Sequence, residues 1–501
     1  MTWLVPLPVV MPLLGSGVTL LMFRRPRIQR AVSIGVLAAT LAVAVALLVV
    51  SRDGPLVVAV GGWPVPLGIV LVADQLASLM LVVSAAVTLC VLLYSIGQGA
   101  ADGDEAAPLS VYHPTYLIMT AGVTNAFLSG DLFNLYVGFE ILLAASYVLI
   151  TLGGTENRVR AGTTYVVVSL LSSVIFLVGI GLVYAATGTL NMAQLVTRVE
   201  ELPASVRLLL QGMLLLAFGI KAAVFPLSAW LPDSYPTAPA PVTAVFAGLL
   251  TKVGVYAIIR VETLLFPGGR AADLLMVAAL ATLIVGILGA VAQSDIKRML
   301  SFTLVSHIGY LLFGVGLASR AGIAAAVFYT VHHIVIQTTL FLVAGLIERR
   351  GGTTAIDRLG GLARTAPILG VLFFIPALNL AGIPPFSGFL GKLGLVRAGV
   401  EEGTWLAYLL VAGGMLTSLL TLYAIGRVWN LAFWRSPPEL TDELDRRRSP
   451  RLMVGATAAL VAAGAALTLI AGPLYDITDR AAGNLLSRQP YVQAVFPGGA
   501  P

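Results

Sequence analysis

Cysteine is nearly absent from this chain and charge is scarce. The single cysteine, Cys90, lies inside an apolar run of a 501-residue sequence. That excludes a disulfide framework, a cysteine zinc site and an iron–sulfur cluster held by this chain alone. Charged residues make up 11% of the chain and hydrophobic ones 58%, whereas soluble domains carry about 25% charged residues. So little charge cannot cover a water-exposed surface, which excludes a soluble enzyme and a disordered chain. The formal net charge of +6 is no nucleic-acid footprint, because the basic residues are scattered over short loops and do not gather on one face. Only four histidines are present. His332 and His333 are adjacent, diverge by about 100° on a helix and make a poor metal site. No metal and no cofactor is expected.

Long apolar runs are what the sequence does contain. Crossing a bilayer as a helix takes about 20 apolar residues. Fourteen runs qualify, near 3–22, 31–50, 70–97, 111–129, 131–152, 161–187, 206–228, 237–261, 272–292, 296–318, 321–347, 366–398, 404–434 and 452–475. The first run lacks a basic leader and a cleavage pattern, so it reads as a retained helix and not a signal peptide. The loops are short, and the longest polar stretch is 435–451. Seventeen loop lysines and arginines follow odd-numbered runs, against nine after even-numbered runs and in the tail. That bias places the odd loops in the cytoplasm and both termini outside. The acidic stretch 102–105 does not count against it, because the rule counts Lys and Arg.

Of thirty basic residues only four are lysines, and three of those, Lys221, Lys252 and Lys392, fall inside apolar runs. Glu140 falls inside another, LYVGFEILLAASY. Each buried charge costs at least about 2.5–3.5 kcal/mol at mid-bilayer unless paired or hydrated. Arginine keeps its proton, whereas a buried lysine releases one. Arginine in the loops and lysine in the membrane is the division a proton relay needs. The plainer alternative, structural ion pairs, fits poorly, since three lysines face one obvious carboxylate. Two histidines extend the pattern. His307 shares a helix face with Thr303 and Tyr310, and His333 shares one with Tyr329 and Gln337. His332 points elsewhere, and His113 reads as interfacial.

Helix breakers stand beside two of the lysines. Pro226 follows Lys221 in KAAVFPLSAWLPDSYP, and Pro384 and Pro385 precede Lys392 in IPPFSGFLGKLG, where Gly391 is one of three glycines at every third position. Interrupted helices in matching halves of a chain point to a transport site near the midplane. The halves match faintly, with FLV plus a small residue at 176–179 and again at 341–344. The expected fold is an all-α integral membrane bundle of about 14 transmembrane helices. It has two inverted five-helix repeats, with helices seven and twelve broken. Residues 1–107 carry three helices, 108–265 the first repeat, 266–436 the second, and 437–501 the last helix and tail.

The segments GDLFNLYVGFEILLAASYVLITLGG, FGIKAAVFPLSAWLPDSYPTAPAPVTAVFAGLLTKVGVY and DIKRMLSFTLVSHIGY resemble the antiporter-like subunits shared by Mrp-type multi-subunit cation/proton antiporters and respiratory complex I. The likeness covers roughly 70–430. The spelling around Glu140 and the chain length look most like the D-type branch of these subunits. The resemblance implies that Glu140 is the helix-five glutamate beside the proton-path Lys221, that Lys252 is a bridging lysine on helix eight, and that Lys392 stands at the outlet on helix twelve. Related subunits often carry a lysine where this chain has Gln337, so the middle of the relay would rest on His333 and water. The implied function is a membrane subunit of a monovalent cation/proton (Na+/H+) antiporter in a prokaryotic cell membrane, with H+ and Na+ as transported ions. The implied partners are the other antiporter subunits and the lipid bilayer, with no redox cofactor and no nucleic acid. A proton-pumping subunit of complex I or of a membrane-bound hydrogenase is the alternative, and a non-conducting scaffold protein the one from another class. No residue cluster identifies a Na+ site.

Overall fold

A computed structural model describes residues 1–99, 109–268, 271–436 and 449–498. The acidic stretch 102–105 and loop residues Arg270, Arg446, Arg447 and Arg448 lie outside it. Among the described residues the chain is almost wholly helical: α1 (Leu7–Leu21), α2 (Pro26–Val50), α3 (Gln75–Gln98), α4 (Leu109–Leu128), α5 (Leu132–Thr151), α6 (Glu156–Thr187), α7 (Met192–Glu200), α8 (Ala204–Ala222), α9 (Trp230–Ser234), α10 (Ala240–Val245), α11 (Thr251–Leu264), α12 (Ala272–Val291), α13 (Ile296–Gly316), α14 (Arg320–Gly351), α15 (Leu362–Thr365), α16 (Pro367–Ala381), α17 (Ser387–Glu402), α18 (Trp405–Val428), α19 (Arg451–Leu469), α20 (Ala471–Ser487) and α21 (Gln489–Val495). Among the described residues twelve helical segments are long and apolar enough to cross a membrane. Helix α4 and the pair α16–α17 fall on the other two of the fourteen runs.

The departures from the run pattern are local. Residues Val70–Ala73, read as the start of the third run, form β2, which pairs antiparallel with β1 (Leu56–Ala59). The eighth crossing holds a π-helical turn at Phe246–Leu250 between α10 and α11. The last run ends at Leu469, and the polar continuation folds as α20 and α21. Both runs read as broken are interrupted: α8 stops at Ala222, and α16 at Ala381.

Local chemistry sets the ends. Asp131 caps α5 by accepting from Phe133 N at 2.8 Å and Asn134 N at 3.0 Å. Asp295 caps α13 through Arg298 N at 2.9 Å, each cap contributing ~1 kcal/mol. The two lie at matching places. Asp131 bridges to Asn191 and Asp295 to Ala355. Helices α6 and α14 are each 32 residues long and end on left-handed Gly188 and Gly352. Every member of these pairs stands 164 positions from its counterpart.

Helix α14 occupies the centre and is buried from Gly322 to Ile347. It packs against α3, α10, α13, α16, α17, α19 and α20. In the other half α6 lies between α5 and α8, and α8 continues onto α11. The faces away from these contacts carry exposed apolar side chains such as Leu171, Val174, Leu288 and Leu419. Water does not accept such a surface and lipid does.

Candidate proton relay in the bundle interior

The first lysine stands where its helix stops. Lys221 is the second-last residue of α8, and Ala223 follows with φ +58°. A left-handed alanine costs ~1 kcal/mol, and it turns the chain before Pro226. The freed carbonyls find partners: Gly219 O accepts from Val224 N at 2.9 Å and Ile220 O from Trp230 Nε1 at 3.2 Å. The Lys221 ammonium donates to Ser169 O at 3.0 Å and Ser173 Oγ at 3.3 Å, both on α6.

Glu140 and Lys221, expected to face each other within salt-bridge reach directly or through one water, form no direct ion pair, since the hydrogen-bond partners of the ammonium are on α6. Glu140 is half-buried on the flank of α5, and its Oε1 is buried without a hydrogen-bond partner. Phe139, Phe176 and Phe218, from α5, α6 and α8, cluster with ring centroids 4.8–6.1 Å apart. Glu140 remains within electrostatic reach of the ammonium. Beside Lys221 is a cavity of about 10 Å³, enclosed by Phe139, Tyr165, Ser169, Trp230 and Tyr235, enough for one water. The Tyr235 hydroxyl is buried there without a partner.

Lys252 is fully buried. Its ammonium donates to Ala247 O, five residues back in the π-helical turn, at 2.6 Å. Single π-turns inside α-helices frequently mark functional sites.

Four helices bring the histidines together beyond Lys252. The His307 and His333 rings stack with centroids 5.3 Å apart. Tyr329 shares a hydrogen bond of 2.9 Å with His307 Nδ1 and stacks on His333 at 6.0 Å. His307 Nε2 lies 3.4 Å from Thr421 Oγ1 on α18. Both ring nitrogens of His333 are buried without partners, and both Lys252 and Lys392 lie within its electrostatic reach. Gln337 Nε2 donates to Leu300 O at 2.8 Å, leaving its Oε1 unsatisfied. His332 turns to the neighbouring helix, its Nδ1 3.0 Å from Ser387 Oγ. Such orphaned buried atoms are places for water. Thr303 bonds only within its own helix, to Leu300 O.

Lys392 closes the row. Its ammonium donates to Leu380 O and Ala381 O, each at 3.0 Å, and lies 4.9 Å over the Tyr310 ring. The Tyr310 hydroxyl donates to Gly414 O and reaches Ser418 Oγ at 2.8 Å. Gly391, read as a helix breaker, breaks nothing, since α17 is continuous. A side chain there would come within 2.8 Å of the Tyr329 ring, so the glycine lets α17 press against α14. The interruption itself lies at Gly382, with φ +85°, followed by Pro384 and Pro385. Lys221 and Lys392 also stand on opposite sides of their breaks in sequence, so they do not align residue for residue.

Several polar residues escaped the reading of the sequence. Arg260, taken for a loop arginine, is buried in α11 and pairs with Asp74 at 2.5 and 2.9 Å, with Tyr256 as a further partner. His113, taken as interfacial, is buried on α4, 3.0 Å from Ser33 Oγ. Lys297 pairs with Glu348 at 2.6 Å. The spacing of Thr417 and Thr421, four apart on one face of α18, was the available signal for the hydroxyls around His307.

Comparisons with known proteins show which chains this one is similar to. A family model described as NADH:quinone oxidoreductase/Mrp antiporter, transmembrane, matches residues 129–421. The D-type subunit of the Na(+)/H(+) antiporter of Alkalihalophilus pseudofirmus is 38% identical over 498 residues, 98% of this chain and 99% of that one. Its counterpart from Bacillus subtilis, also a D-type Na(+)/H(+) antiporter subunit, is 38% identical as well, with 98% of each chain covered. Among solved structures, a chain of the Mrp complex from Dietzia sp. superposes with a TM-score of 0.91 at 35% identity, covering 99% of this chain and 100% of that one. A chain of an archaeal membrane-bound sulfane sulfur reductase superposes at 0.88 with 25% identity, over 99% of this chain and 100% of that one.

Proposed function

The chain belongs to the NADH:quinone oxidoreductase/Mrp antiporter family of membrane subunits, and from that premise we propose how it works. It is a D-type membrane subunit of a multi-subunit Na+/H+ antiporter, a transporter component of a prokaryotic cell membrane. Protons pass along Glu140, Lys221, Lys252, His307, His333 and Lys392, with Tyr329, Tyr310 and Gln337 as supporting polar groups. The antiporter reading stands above the respiratory one because identity to the D-type antiporter chains is 38% and to the sulfur-reductase chain 25%. Residues 108–265 and 266–436 act as two inverted five-helix units, a reading supported by the 164-residue spacing of their caps and bridges. The charge bias of the loops places both termini outside.

The observation that carries conduction is the His307–Tyr329–His333 cluster, filling the interior between two buried lysines that pair with no carboxylate among the described residues. Three buried ammonium groups with no carboxylate in salt-bridge contact among the described residues are a poor way to hold helices together. Titratable groups joined through hydroxyls and water are what proton transfer needs. Substituting Lys252→Met keeps the length and apolar stem and removes the titratable end. Everted vesicles carrying the whole complex should then lose most Na+-driven pH change while the complex still purifies intact. Unchanged antiport would leave the chain a scaffold.

A further inference from the structure

The Lys221 ammonium has three N–H donors, and two of them are used, on Ser169 O at 3.0 Å and Ser173 Oγ at 3.3 Å. Among the described residues none takes the third, and the lysine stands on the wall of the enclosed cavity of about 10 Å³. Two tyrosines share that wall. The Tyr165 hydroxyl is engaged, 2.8 Å from Ser146 Oγ. The Tyr235 hydroxyl has no partner, although the residue is fully buried. Tyr235 is fixed in place. Its carbonyl accepts from Thr243 Oγ1 at 2.8 Å, and its ring packs on Trp230 and Phe246, each with centroids 5.7 Å away. A phenylalanine would make the same ring contacts without stranding an oxygen, so packing does not account for the hydroxyl. The residues just before it lead to the surface. Ser234 is fully buried with its own hydroxyl unpartnered, and Asp233 is exposed and bonds Arg298 at 2.8 Å.

We propose that Tyr235 is a further relay residue, its hydroxyl and one water in the cavity carrying protons between Lys221 and a mouth at Asp233. The inference rests on the relay proposed above and extends it to the surface. One water fits the volume and has two polar neighbours there, the third ammonium N–H and the Tyr235 oxygen. Lys221 gives a proton to the water, the water gives one to the Tyr235 oxygen, and the hydroxyl releases its own toward Ser234. The reverse order returns a proton to the lysine. A hydroxyl both donates and accepts, so Tyr235 passes the proton on without ionising. Ser234 supplies the next hydroxyl, and Asp233 a carboxylate in contact with bulk water.

Tyr235→Phe keeps the ring and its packing and removes one oxygen. The purified whole complex should melt no lower than the original. Antiport in everted vesicles should fall roughly tenfold in maximal rate, less than the full contribution of a positioned proton-transfer side chain because water can enter the space of the lost oxygen. The Na+ concentration for half-maximal rate should stay the same and the solvent deuterium isotope effect should rise, two readouts that a packing role would not give. Asp233→Asn alone should lower the rate and should add nothing to Tyr235→Phe. A normal rate and isotope effect in Tyr235→Phe overturn the proposal, as does a normal rate in Asp233→Asn or a pair of losses that multiply in the double variant. Lys221→Arg, measured beside them, shows how far a failure reaches. If it is inactive while Tyr235→Phe is normal, the relay stands and only this route to the surface is wrong. If it too is normal, the relay itself has failed.

Discussion

Lys392 Nζ lies 3.0 Å from the carbonyl oxygen of Ala381, on the other half of its own interrupted crossing. The lysine belongs to α17, and the carbonyl ends α16. Lys221 is the second-last residue of α8, but its ammonium turns to Ser169 O and Ser173 Oγ of α6. In the second half the ammonium sits at the C-terminal end of a half-helix, where unpaired carbonyls and the negative end of the helix dipole gather. That environment favours the charged lysine by ~0.3–2 kcal/mol, against the cost of removing it from water. At Lys392 the break and the lysine are therefore one device. The interruption supplies acceptors that a continuous helix would have used up, and the lysine satisfies them without a carboxylate.

Removing Lys392 should show both roles. Lys392→Ala leaves Leu380 O and Ala381 O without their donor, at ~1–3 kcal/mol for a buried group. The purified complex should melt at lower temperature and antiport should be lost. Lys392→Arg restores donors but does not give up a proton, so the melting temperature should recover and antiport should not. Recovery of both would make Lys392 a fixture of the break.

Lys221→Arg asks the same of the first half. Ser169 O and Ser173 Oγ accept from a guanidinium as readily as from an ammonium, so assembly should be unchanged. Antiport in everted vesicles should fall by at least about tenfold, since arginine holds its proton under all working conditions. Near-normal antiport would mean that Lys221 only sets the local field.

The two adjacent histidines separate conduction from packing. His333 has neither ring nitrogen bonded and stacks between His307 and Tyr329. His332 bonds Ser387 at the start of α17. His333→Ala should abolish most proton-coupled activity in a complex that still assembles. His332→Ala should keep most activity and lower the melting temperature, by a loss on the order of 1–3 kcal/mol for the unsatisfied partner and the space left. The reverse ranking would mean that protons pass on the Ser387 side of α14.

How much of this was legible beforehand follows from the length scale of each signal. A crossing needs about 20 apolar residues, a signal too long to miss, and the runs located the helices. The three intramembrane lysines stood out against an apolar background, and so did the face shared by Tyr329, His333 and Gln337. The α16 break was announced by Pro384 and Pro385, yet Gly391 was misread. A glycine that admits a neighbouring tyrosine ring and one that ends a helix look alike without the neighbour. Glu140 and Lys221 were expected to face each other because the resemblance sets the glutamate beside the lysine. No pattern in either segment reveals that the ammonium turns to Ser169 O and Ser173 Oγ of α6. Arg260 was missed for a plainer reason: its run was taken to end at 261, and a residue at the boundary reads as a loop.

That boundary arginine carries the last prediction. Arg260 holds Asp74 through two hydrogen bonds of 2.5 and 2.9 Å, with its side chain 2% exposed and that of Asp74 12%. Its guanidinium lies 5.3 Å from the ring centres of both Tyr256 and Tyr491. Asp74 also caps α3 through Ala77 N at 2.8 Å. One pair thus ties the β-hairpin and α3 to α11 and to the C-terminal α21, away from the relay. Arg260→Met should cost ~3–5 kcal/mol, because it strands a buried carboxylate. Adding Asp74→Asn removes that charge and retains an oxygen for the cap, so the double variant should be more stable than Arg260→Met alone. The recovery measures the coupling, expected at ~0.5–3 kcal/mol for residues in contact. Melting of the purified complex reads the stability, and antiport per assembled complex should be unchanged in the double variant. Loss of antiport at unchanged melting temperature would place Asp74 and Arg260 on the ion path and contradict the assignment of a structural pair.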